Sequence, residues 1–139
     1  MSNTITSKEL TALAEKARLC SYSPYSHISV GAALLTKSGK VYLGSNIENA
    51  SYTPTVCAER VAFFKAISEG EREFSAIAIV GGARGEKPVK PFTPCGVCRQ
   101  VMAEFCDRDF EVFVFDGRET RKYSLSELFP HGFSSEALI

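Results

Sequence analysis

Two short cysteine motifs, each at the start of a helical stretch, limit what this chain can fold into more than any other feature. The first is Cys57-Ala58-Glu59-Arg60, and the second is Pro94-Cys95-Gly96-Val97-Cys98. Residues 56–69 (VCAERVAFFKAISE) read as an amphipathic helix closed by Gly70, and CGVCRQVMAEFC starts a further helix where a proline-rich loop ends. Cys95 and Cys98 are three apart, so one helical turn brings both thiols to one face. Thiolates around tetrahedral zinc take Zn–S distances of about 2.3 Å, which that spacing allows. Helix N-termini carry unpaired N–H groups and a positive dipole end, which favour the thiolate. The chain therefore has to bring two helix starts to one ion.

The segments around the motifs alternate between helix and strand. Residues 8–20 place Leu10, Leu13, Ala14 and Ala17 at helical spacing, with Ser7 as the expected N-cap. ISVGAALLTKSGKVYLGSN reads as two strands joined at Ser38-Gly39. The apolar run FSAIAIVGG at 74–82 predicts a strand buried on both faces. Residues 83–94 form a loop, FEVFVFDG predicts another strand, and RKYSLSELF gives a short strand and a last helical turn. The order αββαβαββα predicts a mixed sheet with helices on its faces.

Composition narrows the class. A chain of 139 residues fits one domain over 1–139, large enough to bury about two-thirds of its unfolded surface. Its 16 basic and 16 acidic residues balance, with no long run of either sign, which argues against nucleic-acid polymers and membrane surfaces as partners. MSNTITSKELTALAEKARL lacks the apolar core of a secretory signal. The 5 cysteines then suggest reduced thiols in a cytoplasmic setting, free to hold metal.

A fourth protein ligand would make the metal structural. Three leave a position for water, the catalytic pattern. Cys106 lies about 12 Å along the helix from Cys98, too far to join it. Cys20 and Cys106 read as small buried hydrophobes. No spacing ties His131 to the motifs, while His27 stays open as a ligand. Glu59 is the expected proton carrier. A first-turn acid favouring the helix dipole is the plainer reading, but a metal-ligand cysteine two residues away favours catalysis. Positions two apart on an ideal helix diverge by roughly 200°, so Cys57 is expected in a distorted first turn.

The C-x-E and P-C-x-x-C pair resembles the zinc nucleobase deaminases. Together with SPYSHISVGAALLT, GSNIENASY, CAERVAFFKAISEG, TPCGVCRQ and SELFPHGF, it is similar to the homotetrameric cytidine deaminases over residues 8–135. That resemblance implies a three-layer α/β/α sandwich with a mixed five-stranded sheet. It implies one Zn²⁺ per subunit held by Cys57, Cys95 and Cys98, and hydrolytic deamination of cytidine and deoxycytidine at C4 by way of Glu59. It assigns Asn46 and Glu48 to the ribose; read as strand residues two apart, they would share a face. It also assigns the Ala58 backbone to the base and the Pro94 carbonyl to the departing ammonia.

Three thiolates on Zn²⁺ leave a net negative site. One unit charge at about 4 Å is worth on the order of 4 kcal/mol at an effective dielectric near 20, so compensation is needed. The two helix ends supply part of it, and the resemblance gives Arg60 the rest, through a ligand sulfur. The family usually has phenylalanine where this chain has Ile28, which keeps an apolar wall for the base but removes ring stacking. Phe133 matches an aromatic that reaches a neighbouring subunit's pocket, with Tyr25 and Tyr52 at the same interfaces. Two alternatives stand beside this reading: a deaminase of a modified cytosine nucleoside such as blasticidin S, and a zinc-stabilised structural module.

Overall fold

The computed structural model describes residues 5–139; residues 1–4 of the N-terminal stretch read above, and of the expected 1–139 domain, lie outside them. Helix α1 (Ser7–Ala17) is capped by Thr6, one residue earlier than expected. Thr6 Oγ1 accepts from the Glu9 N–H, while the Glu9 carboxylate accepts from the Thr6 N–H. This reciprocal pair satisfies two otherwise orphaned donors, which a Ser7 cap lacking an acid in that position would not do.

A 3₁₀ turn (Arg18–Cys20) leads to the hairpin of β1 (Ile28–Thr36) and β2 (Val41–Ser45). Gly39 in its turn has φ +97°, a region that favours glycine. There follow α2 (Ala58–Ser68), β3 (Phe74–Ala83), α3 (Gly96–Phe105), β4 (Glu111–Phe115), β5 (Thr120–Ser124) and α4 (Leu125–Leu128). A 3₁₀ turn at Ser135–Ala137 comes last. The strands lie in the order β2-β1-β3-β4-β5, with β3 and β4 parallel and the other pairs antiparallel. The apolar run at 74–82 is the central strand, buried almost throughout as its composition predicts.

Two hydrophobic layers flank this sheet, and strand alternation assigns residues to them. Ala33 and Leu35 pack with Leu10 and Ala14 of α1 on one face. Ala32 and Leu34 pack on the other with Ala62 and Phe63 of α2 and Met102 of α3. The Phe63 ring meets Phe74 edge-on at a centroid distance of 5.2 Å. The result is the expected α/β/α sandwich, with α2 and α3 sharing a face.

Two glycines let the helices settle directly on the hairpin. A Cβ on Gly31 would lie 2.0 Å from the Ala14 carbonyl oxygen, and one on Gly44 would lie 2.3 Å from that of Ala58. Neither position has room for a side chain, so the start of α2 is fixed against β2 by backbone contact. That contact sets where the first cysteine motif sits.

Candidate active site

Cys57 and Cys95 are the N-caps of α2 and α3, in extended conformations (φ −76°, ψ 155° and φ −68°, ψ 169°). The expected distorted first turn at Cys57 is therefore not needed. The cysteine precedes the helix, and its freedom from helical geometry lets its sulfur and the Glu59 side chain approach one region. Cys98 lies in the first turn of α3 and is buried.

The three sulfurs form one cluster. Cys57 Sγ and Cys95 Sγ are 3.7 Å apart, and Cys95 Sγ and Cys98 Sγ are 3.6 Å apart. All three lie within 4.8 Å of one another. A tetrahedral zinc with bonds of about 2.3 Å requires sulfur–sulfur edges of about 3.8 Å. The donor set therefore fits zinc in both chemistry and spacing. Among the described residues it is the one cluster of potential metal ligands that forms, and neither histidine joins it. His27, left open by the sequence, is excluded as a fourth ligand. The structural-module reading needed such a ligand and loses its support.

The thiols are not equivalent. A hydrogen bond from Cys98, followed by contacts with Arg60 and Cys95, overcomes burial and brings the Cys57 thiol down to about 5. Cys98 is driven up, first by its bond to Cys57 and then by burial. Of the two, Cys57 is the sulfur that gives up its proton more readily. Arg60 Nη2 donates to Cys57 Sγ at 3.3 Å, and its buried Nε has no partner.

Glu59 is 4% exposed. Burial, aided by the Cys57 charge, raises its carboxyl to about 7 against the lowering effects of its own backbone N–H, Cys98 and Arg60. A carboxyl that titrates near neutrality can both take and give a proton.

The remaining expected site residues occupy the rim. Ala58 opens α2 and is fully buried. The Pro94 carbonyl accepts from Arg99 Nε at 2.7 Å, leaving it a second lone pair. Ile28 is 37% exposed at the start of β1. Asn46 follows β2 and Glu48 lies in the irregular segment beyond it, so they do not share one strand face as expected. The chain loses its ladder there because only Ile47 bridges, to Tyr22 and to Val56. Asn46 Oδ1 accepts from the Val30 N–H at 2.8 Å, and Nδ2 donates to the Ile28 carbonyl at 2.9 Å. Its amide thus acts as a strand partner for β1. Phe133 is 57% exposed, and its carbonyl accepts from Gln100 Nε2 at 2.8 Å.

Cys20 is exposed, contrary to the buried role expected of it, because it closes a surface turn beside Leu19, itself 85% exposed. Cys106 is half-buried against the α2 side of the core, and burial raises its thiol. Sequence reading missed Ser26 and the backbone contact of Tyr25, which hold Glu48, and the pair Arg99 and Gln100. The latter had a visible signal, two polar residues directly after the second motif.

A sandwich whose two helix starts gather three thiols beside a buried carboxyl defines the class of zinc-dependent hydrolytic enzymes. The chain belongs to the family described as the cytidine and deoxycytidylate deaminase zinc-binding region, whose model matches residues 5–114. It is 46% identical over 132 residues to a cytidine deaminase of Sporosarcina psychrophila, covering 94% of this chain and 93% of that one. It is 49% identical over 122 residues to a cytidine deaminase of Halalkalibacterium halodurans, covering 87% and 89%. The crystal structure of cytidine deaminase from Burkholderia pseudomallei superposes with a TM-score of 0.85 at 44% identity, covering 93% of this chain and all of that one. A blasticidin-S deaminase of Bacillus cereus is more distant, at 30% over 125 residues and 88% of each chain.

Proposed function

We propose that this protein hydrolyses cytidine and deoxycytidine to uridine and deoxyuridine with release of ammonia, a step of pyrimidine salvage. The observation that carries the reading is the triad of thiols at tetrahedral-edge spacing with Glu59 buried two residues from one of them. Zinc held by Cys57, Cys95 and Cys98 supplies the Lewis acidity that makes water a nucleophile at neutral pH.

The chain's own residues do the rest. Glu59 takes one proton from the attacking water and delivers it to N3 of the ring. It then takes the second proton from the hydroxyl now bonded to C4 and passes it to the amino group, which leaves as ammonia while the C4 carbonyl forms. The Ala58 backbone meets the base edge, and Ile28 forms the apolar wall beside the ring. Asn46 and Glu48 take the ribose hydroxyls. The Pro94 carbonyl, with a lone pair left after Arg99, receives the departing ammonia. Arg60 offsets the negative charge of the three thiolates through Cys57.

The unit of function is one catalytic domain spanning residues 1–139, assembled as a homotetramer in the cytoplasm. Exposed apolar side chains, including Leu19, Tyr22, Ile47, Tyr52 and Phe64, support burial against further copies. Tyr25 and Tyr52 meet edge-to-face at 6.4 Å on that surface. Phe133 of one copy then closes a neighbour's site. Free cysteines throughout the described residues agree with a reducing compartment.

The test follows the absorbance change as cytidine becomes uridine, with wild type beside Glu59→Ala. The expected result is turnover by the wild type and none by the variant while zinc stays bound. An inactive, zinc-loaded wild type that turns over blasticidin S would move the assignment to a modified nucleoside.

A further inference from the structure

Glu48 is held by the chain before any ligand reaches it. Its Oε1 accepts the backbone N–H of Tyr25 at 3.0 Å and of Ser26 at 3.1 Å, and its Oε2 accepts the Ser26 hydroxyl. A serine hydroxyl has one proton and two lone pairs. The proton goes to Glu48, and a lone pair of the same oxygen accepts the Ile28 N–H at 3.1 Å. One atom therefore links the carboxylate assigned to the sugar with the residue assigned to the base.

The loop around that atom, though exposed, is pinned by hydrogen bonds. His27, between Ser26 and Ile28, has φ +59°, a conformation uncommon outside glycine. Its N–H donates to the Ser23 carbonyl at 3.0 Å, and its carbonyl accepts from the Arg84 N–H at 2.8 Å. The Ile28 carbonyl is taken by Asn46. A carboxylate offers about four acceptor sites, and this loop fills three, leaving one for an incoming hydroxyl.

We propose that Ser26 is a positioning residue for nucleoside specificity: its hydroxyl locks the ribose acid Glu48 to the base wall at Ile28, so that sugar and base are read as one unit. The proposal rests on the assignment of Glu48 to the ribose. Its signature is selective: removing the Ser26 hydroxyl harms substrates that bring sugar hydroxyls for Glu48 and spares those that lack them.

The experiment compares kcat and KM for cytidine and 2′,3′-dideoxycytidine in wild type, Ser26→Ala, Ser26→Thr and Glu48→Gln, with zinc content and melting temperature as folding controls. Ser26→Ala is expected to raise KM for cytidine by roughly tenfold, the loss typical of one hydrogen bond to a charged group. kcat and the dideoxycytidine constants stay near wild type, and Ser26→Thr restores cytidine KM. Equal losses on both substrates, or a fall in kcat alone, would overturn the proposal by making Ser26 merely structural. If Ser26→Ala folds poorly, Ser26→Cys replaces the hydroxyl by a weak hydrogen-bonding thiol of similar shape, and the same comparison decides. Collapse of the substrate preference in Glu48→Gln but not in the Ser26 variants refutes Ser26 alone. A preference that survives Glu48→Gln refutes the ribose assignment itself.

Discussion

Arg60 Nη2 lies 3.3 Å from Cys57 Sγ, so a guanidinium in the first turn of α2 rests on the sulfur of the residue at that helix's N-cap position. This pairing places a positive charge beside three groups that become thiolates when they bind a metal. Arg60→Gln is expected to keep the fold and to lower kcat/KM by about tenfold to a hundredfold, the range for losing a hydrogen bond to a charged partner. The side chain is part-exposed, so solvent screening keeps the loss below the full Coulomb value. Unchanged pH–rate profiles together with full zinc content would refute the role.

Zinc uptake should depend on pH in a stated direction. A metal ligand must be deprotonated, so binding has to expel the proton that Cys98 retains. Above about pH 5 the metal-free Cys57 is already a thiolate; below that it too must lose a proton. Apparent zinc affinity is therefore expected to rise with pH and to fall away steeply under acid conditions, with protons released on binding. Calorimetry in buffers of differing ionisation enthalpy reads that release directly.

Gly44→Ala tests whether the sheet holds the metal site in register. The added Cβ would meet the Ala58 carbonyl oxygen at 2.3 Å and the Ala62 nitrogen at 2.6 Å, both backbone atoms that cannot swing aside. Overpacking of this kind costs about 1–3 kcal/mol. Relief requires α2 to move, and Cys57 moves with it. The expected outcome is a lowered melting temperature with zinc retention reduced as well. Gly96→Ala, where nothing crowds the added atom, serves as the control.

Ile28→Phe should recover the ring contact that this chain lacks. Ile28 is more than a third exposed, so the larger side chain has room. Aromatic stacking adds about 0.5–1.5 kcal/mol beyond buried area, equivalent to a several-fold lower KM for cytidine. An unchanged KM would mean that residue 28 does not face the base.

The clustering of the three cysteines was legible because spacing relative to helix starts is a local property. β3 was legible because a central strand needs apolar residues on both faces. The cap positions of Cys57 and Cys95 were not, since a helix pattern fixes where periodicity begins and not which residue stands just outside it. Thr6 was overlooked in favour of Ser7 because the decisive partner, Glu9, acts through a reciprocal bond. The cradle of Glu48 joins residues 22 and 23 positions apart through a turn with a positive φ at His27. No periodicity encodes that closure. Cys20 misled because a thiol's usual burial says nothing about a particular surface turn.

The sulfur separations of 3.6 and 3.7 Å have a consequence for which ion the protein keeps. The two helix starts form a claw of nearly fixed gape, since α2 is seated against β2 with no slack at Gly44. A metal with longer bonds to sulfur would have to pry that claw apart and lift a helix off the sheet, whereas one of zinc's radius drops in unopposed. The scaffold is thus expected to hold zinc more readily than an ion with longer bonds to sulfur.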